Sequence, residues 1–184
     1  SNEASDMASI REELSNHLCH PSCLCWPGHS PSDNGGRLLI ICASHECGGS
    51  ARLLQRRLED ELHCEVVIGS NDVETWRSEV DAATRGVVLL QTQSVLRNAV
   101  RLLQLFEAVR QRLTLVCVNM VGGGYDFAKV KPLLNSLATE LSQPAMTTLR
   151  VELQNSGHVV GQLSSGLIRW VPNTSMLVQG SNPR

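Results

Sequence analysis

Residues 38–62 read LLIICASHECGGSARLLQRRLEDEL, and the change of period inside this stretch decides the fold. Its first six residues form an apolar run without alternation, the pattern of a strand covered on both faces. From Ala51 onward the period lengthens. Ala51, Leu54, Leu58 and Leu62 recur at helical spacing, while Arg52, Gln55, Arg56 and Glu59 fall on the opposite side. A doubly buried strand followed by an amphipathic helix is half of a βαβ unit, and implies a parallel sheet. The joining segment SHECGGSA, residues 44–51, reads as a flexible turn capping the helix. Ser44, Gly48 and Gly49 make it a candidate binding loop, because open parallel sheets hold ligands beyond the carboxyl ends of their strands. It has neither the GxGxxG spacing nor the Gly-Lys-Ser/Thr of a phosphate-binding loop.

The alternation continues outward. CEVVIGS (64–70), GVVLLQT (86–92) and LTLVCVN (113–119) are further strand candidates, separated by helical stretches in DVETWRSEVDAA (72–83) and VLRNAVRLLQLFEAV (95–109). Leu38–Cys42, Val87–Leu90 and Leu115–Val118 are expected to be parallel neighbours, with Glu65–Ile68 outside the first. After VGGGYDF (121–127), a flexible connection, AKVKPLLNSLATEL (128–141) and AMTTLRVELQ (145–154) read as helices, the second closed near Gly157. LIRWV (167–171) reads as a fifth strand, ended by Pro172.

Within residues 94–109, Leu102, Leu105, Phe106 and Val109 form the i, i+3, i+4, i+7 stripe that faces the sheet. Arg97, Arg101, Gln104 and Ala108 project elsewhere, which leaves Gln104 on a polar face near the carboxyl ends of the strands. No Ser-His-Asp triad is apparent.

A chain of 184 residues is sized for one domain. Apolar residues at 42% and charged residues at 18% fit globular usage, and a formal charge of −2 makes no electrostatic case for nucleic acid. No apolar run approaches the roughly 20 residues of a membrane span, and SNEASDMASI lacks a secretory pattern, so a cytoplasmic chain is expected. The seven cysteines are odd in number, and Cys42 and Cys117, set in apolar runs, read as small hydrophobes in a reducing compartment. Residues 1–36 are rich in proline, glycine and serine and read as a partly disordered leader or linker, followed by an α/β domain over 37–172 and a tail over 173–184. The leader's His17, Cys19, His20, Cys23, Cys25 and His29 crowd together without the paired spacing of a structural zinc site, so no metal is expected there.

Taken together, residues 37–172 resemble a Toll/interleukin receptor (TIR) domain of the kind found in large proteins of unicellular eukaryotes. Residues 38–62 look like the family's first strand, its serine-bearing loop with Ser44 at the serine position, and its first helix. GVVLLQTQSVL looks like its third strand and following loop, NMVGGGYDF resembles the loop after strand four, and LIRWVPN the closing strand. The family's Trp-Cys pair, glutamate and leucine align with Val100, Arg101, Gln104 and Leu105. The resemblance implies a flavodoxin-like open sheet of five parallel strands in the order 2-1-3-4-5, with helices on both faces.

In TIR domains that cleave NAD, that glutamate is catalytic and lies beneath the loop after strand two. Loss of nicotinamide leaves a ribosyl cation that a carboxylate stabilises and an amide does not, so Gln104 implies a chain without this activity and without a cofactor. The alternative is an NAD hydrolase, with NAD as ligand, that uses Glu107, one turn on, or another acid; otherwise Glu107 reads as a solvated charge. The loop GSNDVETW (69–76), with Asn71, Asp72 and Trp76, corresponds to the family's contact surface for other TIR-like domains. The reading is therefore a weakly self-associating interaction module of a signalling protein. A receiver-like or nucleotide-binding domain is disfavoured, because no acidic pair follows the first strand.

Overall fold

The computed structural model describes residues 36–171. The Cys/His leader and the C-terminal tail lie outside these residues. Among the described residues, four strands form one parallel sheet in the order β2-β1-β3-β4, built from β1 (Arg37–Ile41), β2 (Glu65–Ile68), β3 (Thr84–Gln91) and β4 (Thr114–Asn119). The register sets Leu39 against Val67 on one side and Val87 on the other, and Leu89 against Cys117. The protein is thus an α/β fold with its sheet flanked by helices, and the expected neighbours of β1 are in place.

Side-chain alternation along the strands splits the core. Leu39, Ile41, Val87, Leu89 and Cys117 join one large apolar cluster with the helices that follow β3. Leu38, Ile40, Val88 and Leu90 are equally buried but point the other way. Helix α1 (Ser44–Leu62) packs along β2 through a face that buries Ala51, Leu54 and Leu58. The helix starts at Ser44, so the segment read as a flexible turn is its first two turns, interrupted at Cys47, where φ −142° and ψ 24° leave helical geometry. His63 closes the helix in the left-handed region at φ 51°, its N–H donating to Glu59 O.

The expected second helix shrinks to a single turn, α2 (Trp76–Glu79). Beyond β3 a 3₁₀ turn (Val95–Arg97) leads into α3 (Ala99–Arg110), capped by Asn98, whose side chain accepts from Arg101 N at 3.2 Å. The predicted helix over 128–141 is broken at Ser136 into α4 (Phe127–Asn135) and α5 (Leu137–Glu140); Asp126 caps the first, and Pro132 lies within it. Helix α6 (Gln143–Asn155) is capped by Ser142, and the left-handed Gly157 (φ 74°) follows it.

LIRWV is not a strand. It forms the end of α7 (Val160–Trp170) and the residue after it. Read over five residues it is an apolar run, but over the longer segment Leu163, Leu167 and Val171 recur every fourth position, and all three have no exposure. That face packs α7 against α3 and α4 rather than alongside β4. Among the described residues β4 is therefore an edge of the sheet, with Thr114 and Asn119 exposed.

Candidate functional site

Helix α3 is buried nearly all round, because α2, α6 and α7 pack on the sides that the sheet leaves open. The polar face expected for Arg101 and Gln104 is consequently inside the protein, and both residues have no exposure. Val109, placed on the sheet-facing stripe, is only partly buried.

The two side chains are one helical turn apart and meet the chain where it leaves β2. Gln104 Oε1 accepts from Arg101 Nη1 at 2.9 Å, and Arg101 Nη1 also donates to Ser70 O at 2.9 Å. On its other side the amide nitrogen of Gln104 donates to Glu79 Oε2 in a short hydrogen bond and to Ser70 O at 3.3 Å. The second oxygen of Glu79 accepts from Ser70 N at 2.8 Å. Gln104 thus stands between a buried cation and a half-buried carboxylate, accepting from one and donating to the other. An amide does both at once; an ionised carboxylate accepts only. The chain approaches these side chains so closely that a Cβ on Gly69 would lie 2.8 Å from Arg101 Nη1 and 2.9 Å from Gln104 Nε2.

Beyond Gly69 the loop is braced by its own polar groups. Ser70 Oγ and Thr75 Oγ1 are 2.8 Å apart, Asp72 N donates to Ser70 Oγ, and Glu74 N donates to Asp72 Oδ1. Asn71 and Asp72 are exposed, and Asn71 Oδ1 accepts from Asn98 Nδ2 at 3.3 Å. Trp76, which could serve as an exposed interface anchor or pack beneath its own loop, takes the buried place. It is 4% exposed, its Nε1 donates to Glu152 Oε2 at 3.0 Å, and Arg77 lies over its ring while pairing with the same carboxylate. The indole ties α2 to α6 because its ring has an apolar bed and its N–H a partner there.

The other expected residues lie apart from Gln104. Ser44 is exposed at the start of α1, Gly49 faces open space, and Gly48 approaches only Ser44. None of them is a hydrogen-bond partner of Gln104. Glu107 points along the last turn of α3. It is held by Arg110 Nη2 at 2.6 Å, Arg110 Nε at 2.9 Å and Gln111 Nε2 at 2.8 Å. Burial acts to raise its carboxyl, but the bonds from Arg110 and Gln111 outweigh it and hold the group below its ordinary range. It is neither a free surface charge nor part of the Arg101–Gln104–Glu79 group.

Four further participants are not evident from sequence patterns alone. Glu79, Gly69, Cys42 and Cys47 become neighbours of Arg101 only through the fold. A hydrogen bond from Cys47, opposed by burial and aided by Arg101 and Ser44, brings the Cys42 thiol down to about 7. The same bond, with burial, pushes the Cys47 thiol up.

No family model matches the chain, and no curated protein does. Among solved structures it is similar to the TIR domains of the activated Roq1 resistosome directly recognizing the pathogen effector XopQ. The TM-score is 0.49 and the identity 11%, over 75% of this chain and 84% of that one. A likeness of that depth carries no argument about this chain. No helix among the described residues is long and apolar enough to cross a membrane.

Proposed function

We propose that the chain is a TIR-like interaction module that lacks NAD-cleaving activity and associates weakly, with its own copies or with other TIR-like domains, inside a signalling protein. The observation that carries the reading is the state of Gln104. Its side chain is fully buried and both its amide atoms are engaged, between Arg101 and Glu79. At the family's catalytic position this makes a structural tie rather than an open carboxylate.

The association surface is the loop 69–75 with its exposed Asn71 and Asp72, not the buried Trp76. Contacts of such size bury less than about 1,200 Å² and hold weakly. Sedimentation at rising concentration is expected to show reversible self-association that Asp72→Arg weakens; a strict monomer at every concentration would refute this part.

A second reading, NAD hydrolysis, is favoured by one feature: Glu79 is a carboxylate in direct contact with Gln104. Incubation with NAD, following free nicotinamide, separates the two. The expected result is no release. Release abolished by Glu79→Gln but not by Glu107→Ala would make the chain an NAD-cleaving enzyme that draws its acid from the end of α2.

A further inference from the structure

Arg101 donates through only one of its guanidinium nitrogens. Nη1 bonds to Ser70 O and to Gln104 Oε1, both at 2.9 Å. Nε and Nη2 have no hydrogen-bond partner among the described residues, although the side chain has no exposure. In a planar guanidinium the Nε–H and one Nη2–H run parallel along the edge opposite Nη1, at a spacing that matches the two oxygens of a carboxylate. The unused donors are therefore a matched pair.

A wholly buried cation with such an edge open is costly unless an anion meets it. Glu79 does not: its two oxygens accept from Ser70 N and Gln104 Nε2, and the Gln104 amide stands between it and the guanidinium. Water would satisfy the two N–H groups without offsetting the charge. The place is also one where open parallel sheets take ligands. Arg101 holds the carbonyl of Ser70, just past β2, and Gly69 N donates to Ile40 O at 2.9 Å, so the guanidinium lies at the carboxyl ends of β1 and β2.

We propose that the Nε–Nη2 edge of Arg101 is a binding site for a small monovalent carboxylate, held by two parallel charge-assisted hydrogen bonds. Paired donors select two coplanar oxygens over a spherical ion such as chloride. Full enclosure of the side chain limits the ligand to a few atoms. The Glu79 charge, one amide away, disfavours a dianion such as phosphate. The ligand enters as the loop after β2 lifts: Asn71, Asp72, Val73 and Glu74 are exposed, and a bond between exposed side chains, Asn98 Nδ2 to Asn71 Oδ1 at 3.3 Å, ties that loop to the cap of α3. Such a site requires neither self-association nor NAD cleavage.

The test takes the full chain in a carboxylate-free buffer and exchanges sodium chloride for sodium formate, acetate or phosphate at constant ionic strength. The Arg101 Nε–H resonance, assigned through its own side-chain carbons, is followed. Formate and acetate are expected to move it downfield saturably and to raise the urea midpoint, while phosphate should need about tenfold more. Arg101→Lys keeps the charge but not the paired donors, and should lower the acetate affinity about tenfold, read from the acetate-dependent rise of the urea midpoint. Glu79→Gln, which removes the neighbouring negative charge, should raise that affinity. Should Arg101→Lys fail to fold, the Nε–H titration of the unmodified chain decides alone. A resonance unmoved by either carboxylate, which would leave water alone on the edge, a stronger response to phosphate, or acetate stabilisation undiminished in Arg101→Lys would overturn the proposal.

Discussion

The two halves of helix α3 carry similar polar residues in opposite settings. Toward its start, Arg101 and Gln104 are sealed from water and joined to Ser70 and Glu79. In its last turn, Glu107 pairs with Arg110, whose side chain is 52% exposed. Helical propensity and spacing do not distinguish the halves. What separates them is whether the chain leaving β2 passes overhead, and that depends on Gly69 giving it room. Polar contacts of like geometry therefore carry very different energetic weight, since solvent competes for the second set and not for the first.

The largest effect that tests this contrast is expected for Gln104→Leu. It removes the neutral link and leaves a fully buried cation without its main side-chain partner, at a cost of about 3–5 kcal/mol, read as a lowered urea midpoint. Arg101→Met should cost less, about 1–3 kcal/mol, because the cation's own desolvation penalty disappears with it and only a neutral acceptor is left unpaired. The double variant is expected to cost clearly less than the two single losses together. Strict additivity would show that the two side chains do not act as a unit.

A pH series sharpens the comparison further. The Cys42 thiol is depressed in the folded protein, chiefly through its bond with Cys47, so its contribution is present above the ordinary thiol value of 9.0 and is lost as pH falls through about 7. Cys47, pushed up, acts in the opposite sense and withdraws stability only as pH rises beyond the ordinary thiol range. Under reducing conditions, stability from this pair should therefore climb between about pH 7 and 9, and Cys42→Ala should remove the climb.

The smallest effect belongs to the other half of the helix. Glu107→Ala is expected to cost under about 1 kcal/mol. Because the Glu107 carboxyl is held low, that small contribution is present above the ordinary carboxylate range and disappears in acid, well away from the window of the cysteines. A Glu107→Ala loss as large as that of Gln104→Leu would erase the distinction between the halves.

The sheet was legible because doubly buried parallel strands leave an unmistakable run of Leu, Ile and Val, as in LLII and VVLL, and the helical period between them implied parallel pairing. The site was legible only as a position. Gln104 stands out in the sequence, but a two-sided helix pattern gives no hint that its polar side is covered as well; that follows from α2, α6 and the loop after β2 closing over it. LIRWV misled because a five-residue window cannot separate a buried strand from the end of a helix whose contacts recur every fourth residue. Trp76 was open between an anchor for a partner and a ring packed inside, and it is Glu152, distant in sequence, that supplies the hydrogen bond of the buried indole. Arg101 and Cys42 lie on different elements, and only the three-dimensional fold makes them neighbours.

The place of β1 in the sheet also governs the order of events during synthesis. It is the earliest of the described strands to leave the ribosome, yet it lies in the interior of the sheet, with β2 on one edge and β3 on the other. One edge finds its partner after the short excursion through α1. The second stays unpaired until translation has passed Gln91, and the Arg101–Gln104 tie over the end of β2 waits for the following helix. Such long-range closures slow folding. In the interval β1 is an apolar strand with one bare edge, which makes residues 38–42 the segment that a nascent-chain chaperone would have most reason to hold.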